Sequence, residues 1–145
     1  MDGQKMLERS ARWITGEEPL AMNGLFSENA GGAAVVADGV VLIEAFSNVV
    51  AFDTDEGIVL FDVSHHMSAP QAITELRTWS DAPVHTAVYT HGHVDHVTGA
   101  QAFDAEASAR GDKPIRYVGL DCGEGETRYV ICGATNFAVG DLVVA

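Results

Sequence analysis

Val84-His85-Thr86-Ala87-Val88-Tyr89 runs without a break into Thr90-His91-Gly92-His93-Val94-Asp95-His96. The first six residues are mostly β-branched, aromatic or small, and read as a short strand. The next seven carry three histidines and an aspartate. Neutral imidazole nitrogens together with a carboxylate oxygen are the ligand set suited to zinc and related first-row ions. Alternate residues of an extended segment point the same way, so His91 and His93 can grip one ion. Asp95 and His96, where the backbone turns, can reach a second. Gly92 lets the chain approach the ions with no side chain in the way. The plain alternative is a solvated histidine loop without a purpose. Against it stands the position of the cluster, at the end of a buried-looking strand and before a helix start. A closed structural site normally takes four ligands, often with Cys, whereas a His and Asp set leaves positions for water.

Upstream, Val35-Val36 and Val40-Val41-Leu42-Ile43 flank Asp38-Gly39, the turn dipeptide of a two-residue hairpin. A second hairpin is expected from 48–52 and 58–61, joined by a polar five-residue loop, Asp53-Thr54-Asp55-Glu56-Gly57. Its last strand is nearly all apolar, as expected of one covered on both faces. Ser68 begins a helix, with Gln71 in capping-box position and Pro70 tolerated in the first turn. Ile73, Leu76 and Trp79 give that helix an apolar stripe, and Ala82-Pro83 ends it. Downstream, 99–109 reads as a second helix stopped by Gly111, and 115–120 as one more strand. Hairpin, hairpin, helix, strand, histidine loop, helix, strand is a mixed α/β order. Functional loops in such folds lie outside the carboxyl ends of strands, where the histidine cluster falls. Residues 1–33 read as a partly ordered lead-in, with a short helix over 6–14 and breaks at Gly16, Pro19, Gly24 and Gly31-Gly32.

The chain has 145 residues, enough for one ordinary domain, and its 47% hydrophobic and 20% charged content is that of a globular protein. Eight Lys and Arg against 21 Asp and Glu give a formal net charge of −13. So acidic a surface repels phosphate backbones and anionic membranes, so neither nucleic acid nor a membrane is an expected partner. Cys122 and Cys132 are the only cysteines and do not make a disulfide scaffold. Their spacing matches no tight ligand pair. No apolar run approaches the roughly 20 residues that span a bilayer, and no signal peptide is seen, so a cytoplasmic location is expected by default.

Thr90 to His96 reproduces the His-x-His-x-Asp-His signature, and on those residues the chain resembles the metallo-β-lactamase superfamily. The stretch Ala45-Phe46-Ser47-Asn48-Val49 through Phe61-Asp62-Val63-Ser64 is similar to that superfamily's opening hairpin. The texture around Glu44-Ala45-Phe46-Ser47-Asn48 resembles its alkyl sulfatase-like branch. The resemblance covers residues 34–120 and implies the N-terminal half of an αββα sandwich with a binuclear zinc centre. It assigns His91 and His93 to the first metal, and Asp95 and His96 to the second. A water shared by the metals, acidified toward neutrality, is then the hydroxide that attacks an ester-type small-molecule substrate, such as an alkyl sulfate. Asp95 additionally orients that nucleophile. Asp62 is implied behind the ligands, accepting hydrogen bonds that hold the histidine loop.

His65 and His66 read better as a polar turn than as ligands, and His85 as a packing or surface residue of its strand. The stretch 119–125 is Gly-rich but lacks the lysine and helix signal of a phosphate loop. The resemblance also implies downstream ligands, yet no histidine follows His96, and Asp121 and Asp141 stand in no supporting motif. The sandwich would need roughly another 100 residues to cover its first sheet, and residues 121–145 have an atypical texture. A truncated or frame-shifted product is the preferred explanation, and a half-domain completed by another chain, such as a homo-oligomer partner, is the other. Either leaves a weakened metal site. A non-catalytic metal- or partner-binding remnant is therefore the alternative to a hydrolase, and a superfamily nuclease is disfavoured by the charge.

Overall fold

The computed structural model describes residues 2–18 and 32–119. Helix α1 (Gly3–Thr15) is followed by strands β1 (Gly32–Ala37), β2 (Val40–Glu44), β3 (Val49–Thr54) and β4 (Gly57–Phe61). Next come helix α2 (Ala69–Trp79), strand β5 (Val84–Tyr89), the single turn α3 (Val94–Val97), helix α4 (Ala100–Arg110) and strand β6 (Arg116–Gly119). The six strands of the described residues form one sheet in sequence order, antiparallel from β1 to β4 and parallel from β4 to β6. This is the mixed α/β architecture expected from the order of elements in the sequence.

Local chemistry explains most of the elements. Gly39, at φ +64°, supplies the left-handed residue of the Asp38-Gly39 turn, and a bulge between Val35 and Ala37 follows from the register shift there. The second hairpin is tighter than the five-residue loop expected from the sequence. Asp53 pairs with Ile58 and Thr54 with Gly57, which leaves Asp55 and Glu56 as the turn. The polar side chains that suggest a loop are simply the exposed ends of two strands. Gly57 sits at φ +121°, and a Cβ there would lie 2.6 Å from the Pro83 carbonyl, so no other residue fits.

Helix α2 also departs from expectation. The Ser68 backbone is already helical (φ −99°, ψ −17°), and its hydroxyl makes no cap bond. It donates instead to the His65 carbonyl at 3.2 Å and meets Ser64 Oγ at 3.0 Å. The face buried by α2 is Ala69, Ala72 and Leu76, with Ile73 and Trp79 half-buried at its margins. Small alanines bring the helix axis close to the sheet. Arg77 then forks onto Glu106 of α4 (2.7 and 3.0 Å) and caps the end of α2 by donating to the carbonyls of Ser80 and Ala82.

Helices α2 and α4 share a core with the sheet, centred on Ile43, Ile58, Leu60, Leu76 and Phe103, all fully buried. Each such side chain contributes about 1.5–3 kcal/mol of burial. Helix α1 starts at Gly3, earlier than the periodicity suggests, because the Asp2 carboxylate accepts from the Gln4 and Lys5 amides. It packs on β1, where a Cβ on Gly3 would fall 1.9 Å from the Val35 carbonyl oxygen. Among the described residues, no helix is long and apolar enough to cross a membrane.

Tyr117 of β6 donates to the Ala100 carbonyl and to the Asp104 carboxylate, both at 3.1 Å. Burial pushes the Asp104 carboxyl up from its ordinary value, and the Tyr117 hydrogen bond pulls it partly back. A raised native pKa means that the folded state holds the proton more tightly than the unfolded chain. Stability from this group is full below the ordinary carboxylate value and lost as pH rises through the raised one. Asp104→Asn keeps the acceptor for Tyr117 and removes the charge. The variant should melt higher than the parent at neutral pH, with the gap closing as pH falls to the ordinary aspartate range. A gap that stays constant in thermal melts across that range contradicts the account.

Candidate functional site

Parallel pairing of β4 with β5 sets the ends of these strands side by side, with Phe61 opposite Val88 and the Asp62 amide donating to the Val88 carbonyl at 2.8 Å. Asp62 and Ser64 then both take a left-handed backbone, each at φ 61°. Non-glycine residues adopt that conformation at a cost of order 1–3 kcal/mol, so surrounding bonds must hold it. They do. The Val63 amide donates to the His96 carbonyl (3.0 Å), the Gly99 amide to the Ser64 carbonyl (2.9 Å), and the His66 amide to Thr98 Oγ1 (3.2 Å). The loop after β4 is thereby laced to the histidine loop. Gly99 is part of the lacing, since a Cβ there would lie 1.9 Å from the Val63 carbonyl oxygen.

This turn aims the Asp62 carboxylate, 5% exposed, across at the histidine loop. Oδ1 accepts from the Thr90 amide at 2.8 Å. Oδ2 accepts from Thr90 Oγ1 at 2.7 Å and meets His96 Nδ1 at 2.6 Å. An ionised carboxylate can only accept, and that fact assigns the protons of the whole cluster. The Thr90 hydroxyl gives its proton to Asp62, so its oxygen accepts from His91 Nδ1 at 3.0 Å. The His91 Nε2 lone pair then accepts from His93 Nδ1, also at 3.0 Å. His96 donates from Nδ1, which Ser47 Oγ also approaches at 3.1 Å, and keeps its own Nε2 lone pair. That nitrogen stands 3.4 Å from Asp95 Oδ2.

The donors fall into two pairs. His91 Nε2 faces His93 Nδ1, and His96 Nε2 faces Asp95. Two zinc bonds of about 2.0–2.2 Å at the tetrahedral angle set their donor atoms roughly 3.3–3.5 Å apart. The 3.4 Å between His96 Nε2 and Asp95 Oδ2 matches that, while the 3.0 Å between His91 Nε2 and His93 Nδ1 is a hydrogen bond whose proton on His93 an ion would have to replace. The donor set fits a metal in kind, two donors at a time. Among the described residues, no three His, Cys, Asp or Glu side chains are arranged to hold one ion. His91 and His96 rings lie 3.9 Å apart, and His91 and His93 rings 4.5 Å, so the three imidazoles are one cluster.

The other histidines lie elsewhere. His65 packs edge-on against Phe46 and beside His66, and His85 sits on the exposed side of β5, 3.8 Å from Glu56. Asp121, Asp141, Cys122 and Cys132 lie outside the described residues, as does nearly all of the Gly-rich stretch. Ser47, Ser64 and Gly99 belong to the site, and no local sequence signal marks them. Thr90 had one, its place directly before the first histidine.

A family model described as the metallo-beta-lactamase superfamily matches residues 42–138, and the chain belongs to that superfamily. It is a superfamily of metal-dependent hydrolases. The match continues past residue 120, where the resemblance read from the residues ends. A linear primary-alkylsulfatase of a Pseudomonas species is 32% identical over 59 residues, which is 40% of this chain and 11% of the sulfatase. The phenylalanine–tRNA ligase beta subunit of Mycobacterium leprae is 48% identical over 56 residues, 38% of this chain and 7% of the ligase. Among solved structures, a subclass B3 metallo-beta-lactamase from a soil metagenome library, MEM-A1, has a TM-score of 0.51 at 15% identity. That alignment covers 64% of this chain and 47% of the lactamase, and it supports the fold alone. The chain thus spans about a tenth of the curated relatives it matches.

Asp62→Asn places an amide donor against at least one of the groups that donate to Asp62. It should cost about 2–4 kcal/mol, the range for breaking a buried charged network. Urea unfolding checks the loss, and amide exchange at Thr90 should accelerate with it. Gly99→Ala should cost about 3 kcal/mol by overpacking the same loops. Parental stability in either variant would show that the lacing is not what holds the loop.

Proposed function

We propose that this chain carries half of a binuclear zinc site, and that the site is that of a hydrolase acting on an ester-type small molecule such as an alkyl sulfate. The observation that carries the reading is the pairing of donors under Asp62: His91 with His93 at 3.0 Å, and Asp95 with His96 at 3.4 Å, the latter at the separation that one ion demands. Bound zinc supplies Lewis acidity, which makes water a nucleophile at neutral pH and polarises the scissile group. The chain's own residues do the rest. Asp62 holds His91 and His96 in the tautomers that present Nε2 outward, the arrangement in which an outer carboxylate raises ligand basicity. Asp95, half-buried beside His96, ligates and orients the attacking water. The similarity to a linear primary-alkylsulfatase supports the choice of a sulfate ester.

A second reading is favoured by the same geometry. Two donors per ion among the described residues are fewer than a stable site needs, which fits a metal-binding remnant without turnover. A small-molecule substrate remains the proposed partner, with no nucleic acid or membrane, in keeping with the charge of −13.

The test is zinc uptake by the full chain in equilibrium dialysis, against a His91→Ala/His93→Ala control. Uptake should be lost in the control, and Asp62→Asn should weaken it about 10- to 100-fold. Equal uptake in parent and control refutes both readings. Chelator-sensitive hydrolysis of an aryl sulfate or ester by the zinc-loaded chain selects the hydrolase, and zinc uptake without turnover selects the remnant.

A further inference from the structure

Asp62 reaches the two donor pairs by different routes. His96 is served directly: its Nδ1 donates to Asp62 Oδ2 at 2.6 Å and has Ser47 Oγ at 3.1 Å besides. His91 is served only through Thr90, whose Oγ1 stands 2.7 Å from Asp62 Oδ2 and 3.0 Å from His91 Nδ1. Among the described residues, that hydroxyl is the one partner of His91 Nδ1. Thr90 itself is fixed independently of its hydroxyl, since its amide donates to Asp62 Oδ1 at 2.8 Å. Oγ1 is therefore aimed by a bond that would survive its removal.

A group between a carboxylate and an imidazole N–H must donate to the first and accept from the second, which a hydroxyl does with one atom. The protons then run in one direction. His93 Nδ1 gives to His91 Nε2, His91 Nδ1 gives to Thr90, and Thr90 gives to Asp62. A neutral imidazole carries a single N–H, so holding it on Nδ1 of His91 bares Nε2 and makes His93 the donor. Without the hydroxyl nothing opposes the reverse order, in which His91 donates from Nε2 and His93 Nδ1 accepts.

We propose that Thr90 is the positioning residue of the His91–His93 pair alone: its hydroxyl sets the proton order of both imidazoles, and His96 is independent of it. A carboxylate acting through a hydroxyl keeps His91 Nε2 bare and basic, as direct contact does for His96. Loss of the hydroxyl should therefore weaken one donor pair and spare the other. That the pair serves as metal ligands rests on the hydrolase reading; the proton order does not.

Long-range proton–nitrogen correlation spectra of the metal-free full chain, at about pH 8.5 where imidazoles are neutral, tell a protonated ring nitrogen from a bare one. In the parent, His91 and His96 should both carry their proton on Nδ1. Thr90→Val keeps the side-chain shape and removes the hydroxyl. It should move the His91 tautomer ratio about tenfold toward Nε2–H, the equivalent of one hydrogen bond, with His93 following and His96 unmoved. Thr90→Ser should restore the parental ratio. Amide exchange at Thr90 should match the parent in both variants, since the bond to Asp62 Oδ1 remains. A His91 ratio that Thr90→Val leaves unmoved, an equal move at His96, or a Thr90→Ser chain that behaves like Thr90→Val overturns the proposal. Faster exchange at Thr90 overturns it too, because the hydroxyl would then hold the loop rather than the proton order. Zinc titration of the same samples separates the two ideas, and Thr90→Val should lose about tenfold in affinity at one position only. A tautomer shift in a chain that takes up no zinc sinks only the hydrolase reading, and zinc uptake with an unmoved tautomer sinks only this one.

Discussion

Everything at the candidate site depends on one buried carboxylate. Asp62 stands on a left-handed turn at the end of β4 and accepts from the Thr90 amide, the Thr90 hydroxyl and His96 Nδ1. It satisfies the first residue of the histidine loop, so the loop leaves β5 in a defined direction. It also fixes which nitrogens of His91 and His96 carry protons, and therefore which carry lone pairs. A buried negative charge is tolerable only when so bonded. The strain of the turn is in turn held by the backbone bonds that lace 63–66 to 96–99. Strain, charge burial and ligand orientation are one problem with one solution, and parallel pairing of β4 and β5 poses it.

Much of this is legible in the sequence, and what is legible is local. The alternation and β-branching of Val84–Tyr89 define a strand, and Asp38-Gly39 a turn. Asp62 is legible only through resemblance, because nothing nearby says that its carboxylate reaches residues 28 positions away. The features that escape are of two kinds. Some are competitions that a local rule cannot foresee: Ser68 could cap α2, but its backbone is helical and its hydroxyl is taken by Ser64 and His65. Others are close approaches set by tertiary packing. Gly99 reads as a helix start, and only the position of the Val63 carbonyl shows why no side chain fits there. Helix α1 reads as part of a weakly ordered lead-in, yet Asp2 caps it and Gly3 seats it against β1.

Family and site differ in extent. The family match spans residues 42–138, while the donor pairs lie within six positions of one loop. Two pairs of donors under one carboxylate are half of what two tetrahedral ions take. The described fold holds its parallel strands and histidine loop within the residues matched to the superfamily. It offers no physical account of the similarity to a tRNA ligase subunit, which shares 56 aligned residues with this chain.

The central claim is that His91, His93, Asp95 and His96, organised by Asp62, are the metal ligands. X-ray absorption at the zinc edge of the metal-loaded chain tests it most directly. The account predicts a shell of nitrogen and oxygen at about 2.0–2.2 Å with the outer scattering of imidazole rings, and no sulfur. A sulfur shell at about 2.3 Å would place the metal on Cys122 and Cys132 instead, and would contradict it.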